Sequence, residues 1–107
     1  MMFRQIIYII TLVCTLLSFT PTIYAADQPL YAKWGKIAMN ETKNKYHAAI
    51  VDYLHMGRTQ INENITEEKF KLWLRKANQQ EFGVYITIRF DTHTEQILFI
   101  HFEETAH

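Results

Sequence analysis

Four carboxylates, Asp52, Asp91, Glu103 and Glu104, fall within or beside apolar runs, where paired carboxyls could do acid–base work. A hydrolytic pair needs its carboxyls about 5–9.5 Å apart across a cleft, and Asp52 with Glu103 is the candidate pair. The alternation Ile50, Asp52, Leu54, Met56 turns Asp52 toward an apolar side, where it needs a buried partner. A β-bulge that rotates Asp52 outward is the simpler arrangement. Five histidines, His47, His55, His93, His101 and His107, have no tight two-histidine spacing and no thiolate company. His55 and His101 could meet on one sheet face with Glu103 as a third ligand, yet the expectation is no metal, no cofactor and no enzymatic activity.

Nucleophilic chemistry is narrower still. The lone cysteine is Cys14 and the lone serine is Ser18. Both sit in a segment with the order of a secretory signal peptide: Arg4 near the start, an uncharged apolar run from Ile6 to Phe19, then Pro21 and a short end at Ala25. The run is shorter than the ~20 residues that cross a bilayer stably. Residues 1–25 are therefore expected to be cleaved, and contact with the membrane to be transient. Residues 26–107 then form one secreted, extracytoplasmic domain of the cell envelope. It holds neither cysteine nor serine, so disulfides, thiolate metal sites and Ser or Cys nucleophiles are excluded from it. Losing Arg4 leaves ten Lys plus Arg against eleven Asp plus Glu without any block of like charge, which gives no footprint for nucleic acid.

The third constellation is a surface. In KFKLWLRK, Phe70, Leu72 and Leu74 point to one side of a strand and Lys71, Trp73 and Arg75 to the other. GVYITIRF, from Gly83 to Phe90, alternates likewise, with Val84, Ile86, Ile88 and Phe90 against Tyr85, Thr87 and Arg89. Pairing like with like sets Leu74 opposite Val84 and Leu72 opposite Ile86, and Phe90 opposite Leu98 in the final strand from Ile97 to Glu103. The other side then pairs Trp73 with Tyr85, Lys71 with Thr87, Arg89 with Phe99 and Thr87 with His101, and Tyr53 and His55 can join it. Rigid aromatics with cationic edges are what binding faces use. The same pairs also stabilise a half-exposed sheet with no partner at all.

These strands must be held by what precedes them. Asp27 and Pro29 open a helix over Leu30 to Tyr46, whose inner side carries Leu30, Trp34, Ile37 and Ala38, with Glu41 and Lys45 in line. Gly35 allows the helix backbone to lie close to a sheet. A first strand, AIVDYLHM, ends at Gly57, and Asn62 to Glu68 reads as a polar connection. One N-terminal helix followed by four strands with short connections implies an α+β fold, the helix lying on one face of a four-stranded antiparallel meander.

The runs YAKWGKIAMNETKNKY, DYLHMGR, KFKLWL and EFGVYITIRFDTHTEQI resemble the YqzG/YhdC-like family of small secreted proteins of Gram-positive spore-forming bacteria. The resemblance spans Tyr31 to Glu104 and implies a signal peptide and one compact α+β domain. It brings no catalytic residue and no cofactor. More remotely, the layout is similar to cystatin-like and PepSY-like domains, in which peptidase binding is a suspected role. The expected function is a non-enzymatic protein- or peptide-binding module of the envelope using Lys71, Trp73, Tyr85, Thr87, Arg89, Phe99 and His101. The alternatives are a homodimeric structural envelope protein and a carboxylate-dependent hydrolase.

Overall fold

The computed structural model describes residues 29–107. The signal segment 1–25 and the helix cap expected at Asp27 lie outside them. Helix α1 (Ala32–Tyr46) leads into strands β1 (Ala49–Gln60), β2 (Ile65–Arg75), β3 (Glu81–Asp91) and β4 (Ile97–Thr105). The strands form one antiparallel sheet in chain order, β1-β2-β3-β4, as the period-two patterns require.

Each turn is set by a short polar side chain that bonds backbone two or three residues on, the local device favoured in turns. Asn62 Oδ1 accepts from the amides of Asn64 and Ile65, Asn78 Oδ1 from Gln80, and Asp91 Oδ1 from His93 and Thr94. Those two amides, Thr94 foremost, hold the Asp91 carboxyl below the usual aspartate range.

Helix α1 has no side-chain cap at its start; the Ala32 amide donates to Pro29 O at 3.0 Å. At its end His47 takes the left-handed conformation and donates its amide to Lys43 O, and Lys43 and Lys45 sit in the last turn, where cations suit the helix dipole. The buried side is Trp34, Gly35, Ala38 and Thr42, with the Thr42 hydroxyl satisfied by Ala38 O at 2.6 Å. This corrects the expected stripe: Leu30 is 81% exposed, and Glu41 and Lys45 face water. Thr42 takes the inner place because it follows Trp34 and Ala38 at four-residue spacing, and its short side chain can be buried there with the hydroxyl bonded back to the helix.

The core joins Trp34 and Ala38 to Phe70, Leu72, Leu74, Val84, Ile86, Ile88 and Phe90. Trp34 stacks on Phe90 with ring centroids 3.9 Å apart. The helix lies across β1, β2 and β3; over β4, Lys45 and Tyr46 at its C-terminal end reach Phe102. Gly35 fits because it has no side chain. A Cβ there would collide with the Tyr53 hydroxyl and come within 3.1 Å of Tyr53 Cζ. Gly35→Ala gains about 1 kcal/mol of helix propensity but should lose ~1–3 kcal/mol to overpacking. A net loss is expected in wild type and none in a Tyr53→Phe background, read from urea midpoints at constant slope.

Two bulges set the faces of β1. Val51 is an extra residue between Ile50 and Asp52, and Met56 is one between His55 and Gly57. Each reverses the in-and-out alternation. The first turns Asp52 outward, the simpler of the two arrangements expected for it, and there its Oδ1 accepts the Tyr53 amide at 2.8 Å. It also carries Tyr53 and His55 to the helix side, opposite Leu72 and Phe70, rather than to the open face. The strand continues through Gly57 to Gln60, and β2 begins at Ile65 inside the stretch read as a connection.

Candidate functional site

All seven expected binding residues lie on the sheet face away from the helix: Lys71 and Trp73 on β2, Tyr85, Thr87 and Arg89 on β3, Phe99 and His101 on β4. Arg89 opposes Phe99 and Thr87 opposes His101, as the pattern predicts, but Phe90 opposes Ile97 rather than Leu98, which is an extra residue at a bulge. Between β2 and β3 the register is displaced by two residues: Lys71 faces Tyr85, and Trp73 faces Gly83. The indole needs the room. A Cβ at Gly83 would come within 3.2 Å of Trp73 Cε3 and 2.8 Å of Thr105 Cγ2, so the glycine is the floor on which Trp73 lies. The displacement also sets Leu74 opposite Phe82 and Leu72 opposite Val84, which keeps the apolar side intact.

The face is tied by local pairs. Lys69 and Lys71 hold their ammonium groups 5.3 and 5.5 Å from the Tyr85 ring centre. Arg89 bonds Glu67 and places its guanidinium carbon 4.9 Å from the Phe99 ring. Cations over aromatic faces gain modestly at exposed sites. Trp73 Nε1 donates to Glu81 Oε1 at 2.6 Å and Arg75 Nε to Glu81 Oε2 at 3.3 Å. The Trp73 bond, followed by the charge of Arg75, holds the Glu81 carboxyl below the usual glutamate range. Beside Trp73, a hollow of about 180 Å³ is lined by Asp52, Leu54 and Lys71. The result is a half-exposed surface whose aromatic side chains are held by neighbouring residues.

The other candidate constellations are not assembled. Asp52 and Glu103 both face the open side but stand on β1 and β4, the opposite edges of the sheet. Three strand spacings separate them by about 14 Å, beyond a hydrolytic pair. His55 and His101 lie on opposite faces. Among the described residues no three His, Cys, Asp or Glu side chains converge as a metal site.

The structure adds a cluster that the sequence reading passed over. Glu68 is fully buried on the helix side, its Oε2 bonded to His55 Nε2 at 2.6 Å and its Oε1 to Arg58 Nε. Residues three apart on a regular strand face opposite ways; the extra Met56 is what brings His55 and Arg58 to the same carboxylate. The His55 ring stacks on Tyr31 at 3.8 Å and tilts against Phe70. Burial, then Tyr31 and Glu68, push the neighbouring Tyr53 phenol above the usual tyrosine range. With both carboxylate oxygens engaged and the imidazole held between rings, the cluster ties β1 and the start of the helix to β2. Extending the even-numbered series Phe70, Leu72, Leu74 backwards leads to Glu68 and Thr66, both buried. That extension was the legible signal.

The model of a family described as "Protein of unknown function (DUF3889)" matches residues 11–104. The chain is 28% identical over 102 residues to the "Uncharacterized protein YqzG" of Bacillus subtilis (strain 168), covering 91% of each chain. No solved structure matches.

Proposed function

Since the chain belongs to the DUF3889 family, whose description carries no activity, we propose from the site itself that it is a secreted, non-enzymatic module that binds a protein or peptide on the open face of its sheet. The observation that carries this reading is the gathering of Lys71, Trp73, Tyr85, Thr87, Arg89, Phe99 and His101 on the face opposite the helix. Aromatic and Arg side chains dominate the energetics of protein contacts, and here their rotamers are already held by Glu81, Glu67 and Gly83, which lowers the ordering cost of binding. The signal-peptide order of residues 1–25 supports an envelope address. The helix laid on an antiparallel meander is the layout of cystatin-like domains, an analogy of fold that does not fix the partner.

The test is capture from envelope extract by immobilised protein, comparing wild type, Trp73→Ala/Tyr85→Ala and the helix-side control Lys36→Ala. A partner held by wild type and control is expected to bind the double variant at least roughly 30-fold more weakly, as loss of ~2 kcal/mol at a central aromatic implies. Identical capture by all three proteins at equal thermal stability overturns the reading.

A further inference from the structure

We propose that the outer edge of β4 pairs antiparallel with β4 of a second copy of this chain, about a two-fold axis at Phe102. The two edges of the sheet differ in kind. An exposed edge is normally blunted by bulges, charges or proline; β1 has two bulges and carries Asp52 and Arg58. Strand β4 has one bulge, at Leu98 near its start, and is regular from Phe99 to Thr105; its charges, Glu103 and Glu104, are gathered at one end, and from Ile97 to Phe102 it contains no Lys, Arg, Asp, Glu, Pro or Gly. The helix body leaves it uncovered, with Leu98 51% and Phe99 43% exposed and Ile100 and Phe102 half-buried.

The occupant follows from the strand's own symmetry. Phe102 is the midpoint of the regular stretch, with His101 before it and Glu103 after it, both exposed on the open side. Rotation about Phe102 sets His101 opposite the partner's Glu103 and the partner's His101 opposite Glu103, giving two imidazole–carboxylate pairs. It sets Phe102 beside the partner's Phe102, Phe99 opposite the partner's Thr105 and Ile100 opposite the partner's Glu104. No carboxylate meets a carboxylate, whereas parallel pairing in register would align Glu103 and Glu104 with their own copies. Such self-complementarity is what a two-fold interface requires. The pairing also joins two open faces into one surface of eight strands, a property independent of what those faces bind.

The test uses the full-length chain with Cys14→Ala, made in two differently tagged forms, His101→Cys and Glu103→Cys. Both positions are exposed, so circular dichroism should match the parent. Directly opposed residues lie ~4.5–5.5 Å apart between Cα atoms, inside disulfide range, whereas like residues are diagonal at ~7–8 Å and outside it. Random pairing in an equimolar mixture already gives about twice as much heterodisulfide as either homodisulfide, and mild oxidation is expected to exceed that ratio clearly, with little of either homodisulfide. In sedimentation equilibrium the parent should dimerise, His101→Glu should weaken the dimer at least ~10-fold by facing two carboxylates together, and adding Glu103→Lys should restore it. A parent that stays monomeric, disulfides in the ratio of random pairing, or a dimer lost only in Trp73→Ala/Tyr85→Ala overturns the proposal. The last outcome would put the second copy on the open face.

Discussion

Replacing His55 and Arg58 together by alanine should cost about 3–5 kcal/mol of stability, because it leaves the Glu68 carboxylate buried without partners. The side chain of Glu68 has no exposed surface, while those of His55 and Arg58 are 19% and 38% exposed. The carboxylate therefore cannot turn to water, whereas its partners can. The converse change is expected to be mild: with Glu68→Leu in the same background no charge is stranded, and the triple variant should recover most of the loss, since well-packed apolar substitutes for buried ion pairs are often neutral or better. Urea unfolding followed by fluorescence gives both numbers, provided the slopes agree. A double variant within about 1 kcal/mol of wild type would show that the cluster does not hold β1 to β2.

Trp34→Ala should be comparably severe, at ~3–5 kcal/mol. Trp34 is 2% exposed, stacks on Phe90, and is the one large side chain among the fully buried residues of the helix, the others being Gly35, Ala38 and Thr42. A helix of fifteen residues is marginal on its own, so losing this anchor should release it as well as weaken the core. Far-UV circular dichroism should lose helix signal at denaturant concentrations where the sheet persists, with the most exchange-labile amides between Ala32 and Tyr46. Leu30→Ala, at an 81% exposed site, serves as the silent control. Loss of helix and sheet signal in one transition would contradict the anchoring role.

The alternation in β2 and β3 made the element order, the antiparallel pairing and the inner side of those strands legible, because one-sided burial leaves a period-two record. Gathering of the open-face residues followed from the same record. The exact partners did not. Like-with-like matching favoured Trp73 beside Tyr85, but an indole lying flat needs a neighbour without a side chain, and Gly83 supplies it. Strand β1 was the least legible. Neither Val51 nor Met56 differs in type from its neighbours, so nothing in their chemistry marks them as bulged, and each reverses the faces beyond it. His55 was misplaced for that reason, whereas Asp52 stands as the simpler arrangement had it, rotated outward by a bulge. Glu68 closes the stretch read as a polar connection because charge argues for a loop, whereas its position in the even-numbered series argues for a strand; His55 and Arg58, brought in by the second bulge, decide between them.

The strands stand in the sheet in the order in which they occur in the chain, and this has a consequence for the time course of folding. Each pairing closes only a short turn, the arrangement with the smallest loop entropy and the fastest assembly. Every strand after the first pairs with the strand just before it in the chain. The helix is the exception. Standing before every strand in the chain, it must wait for β3 to bring Phe90 beneath Trp34, so the first of the described elements in sequence is among the last to find its seat.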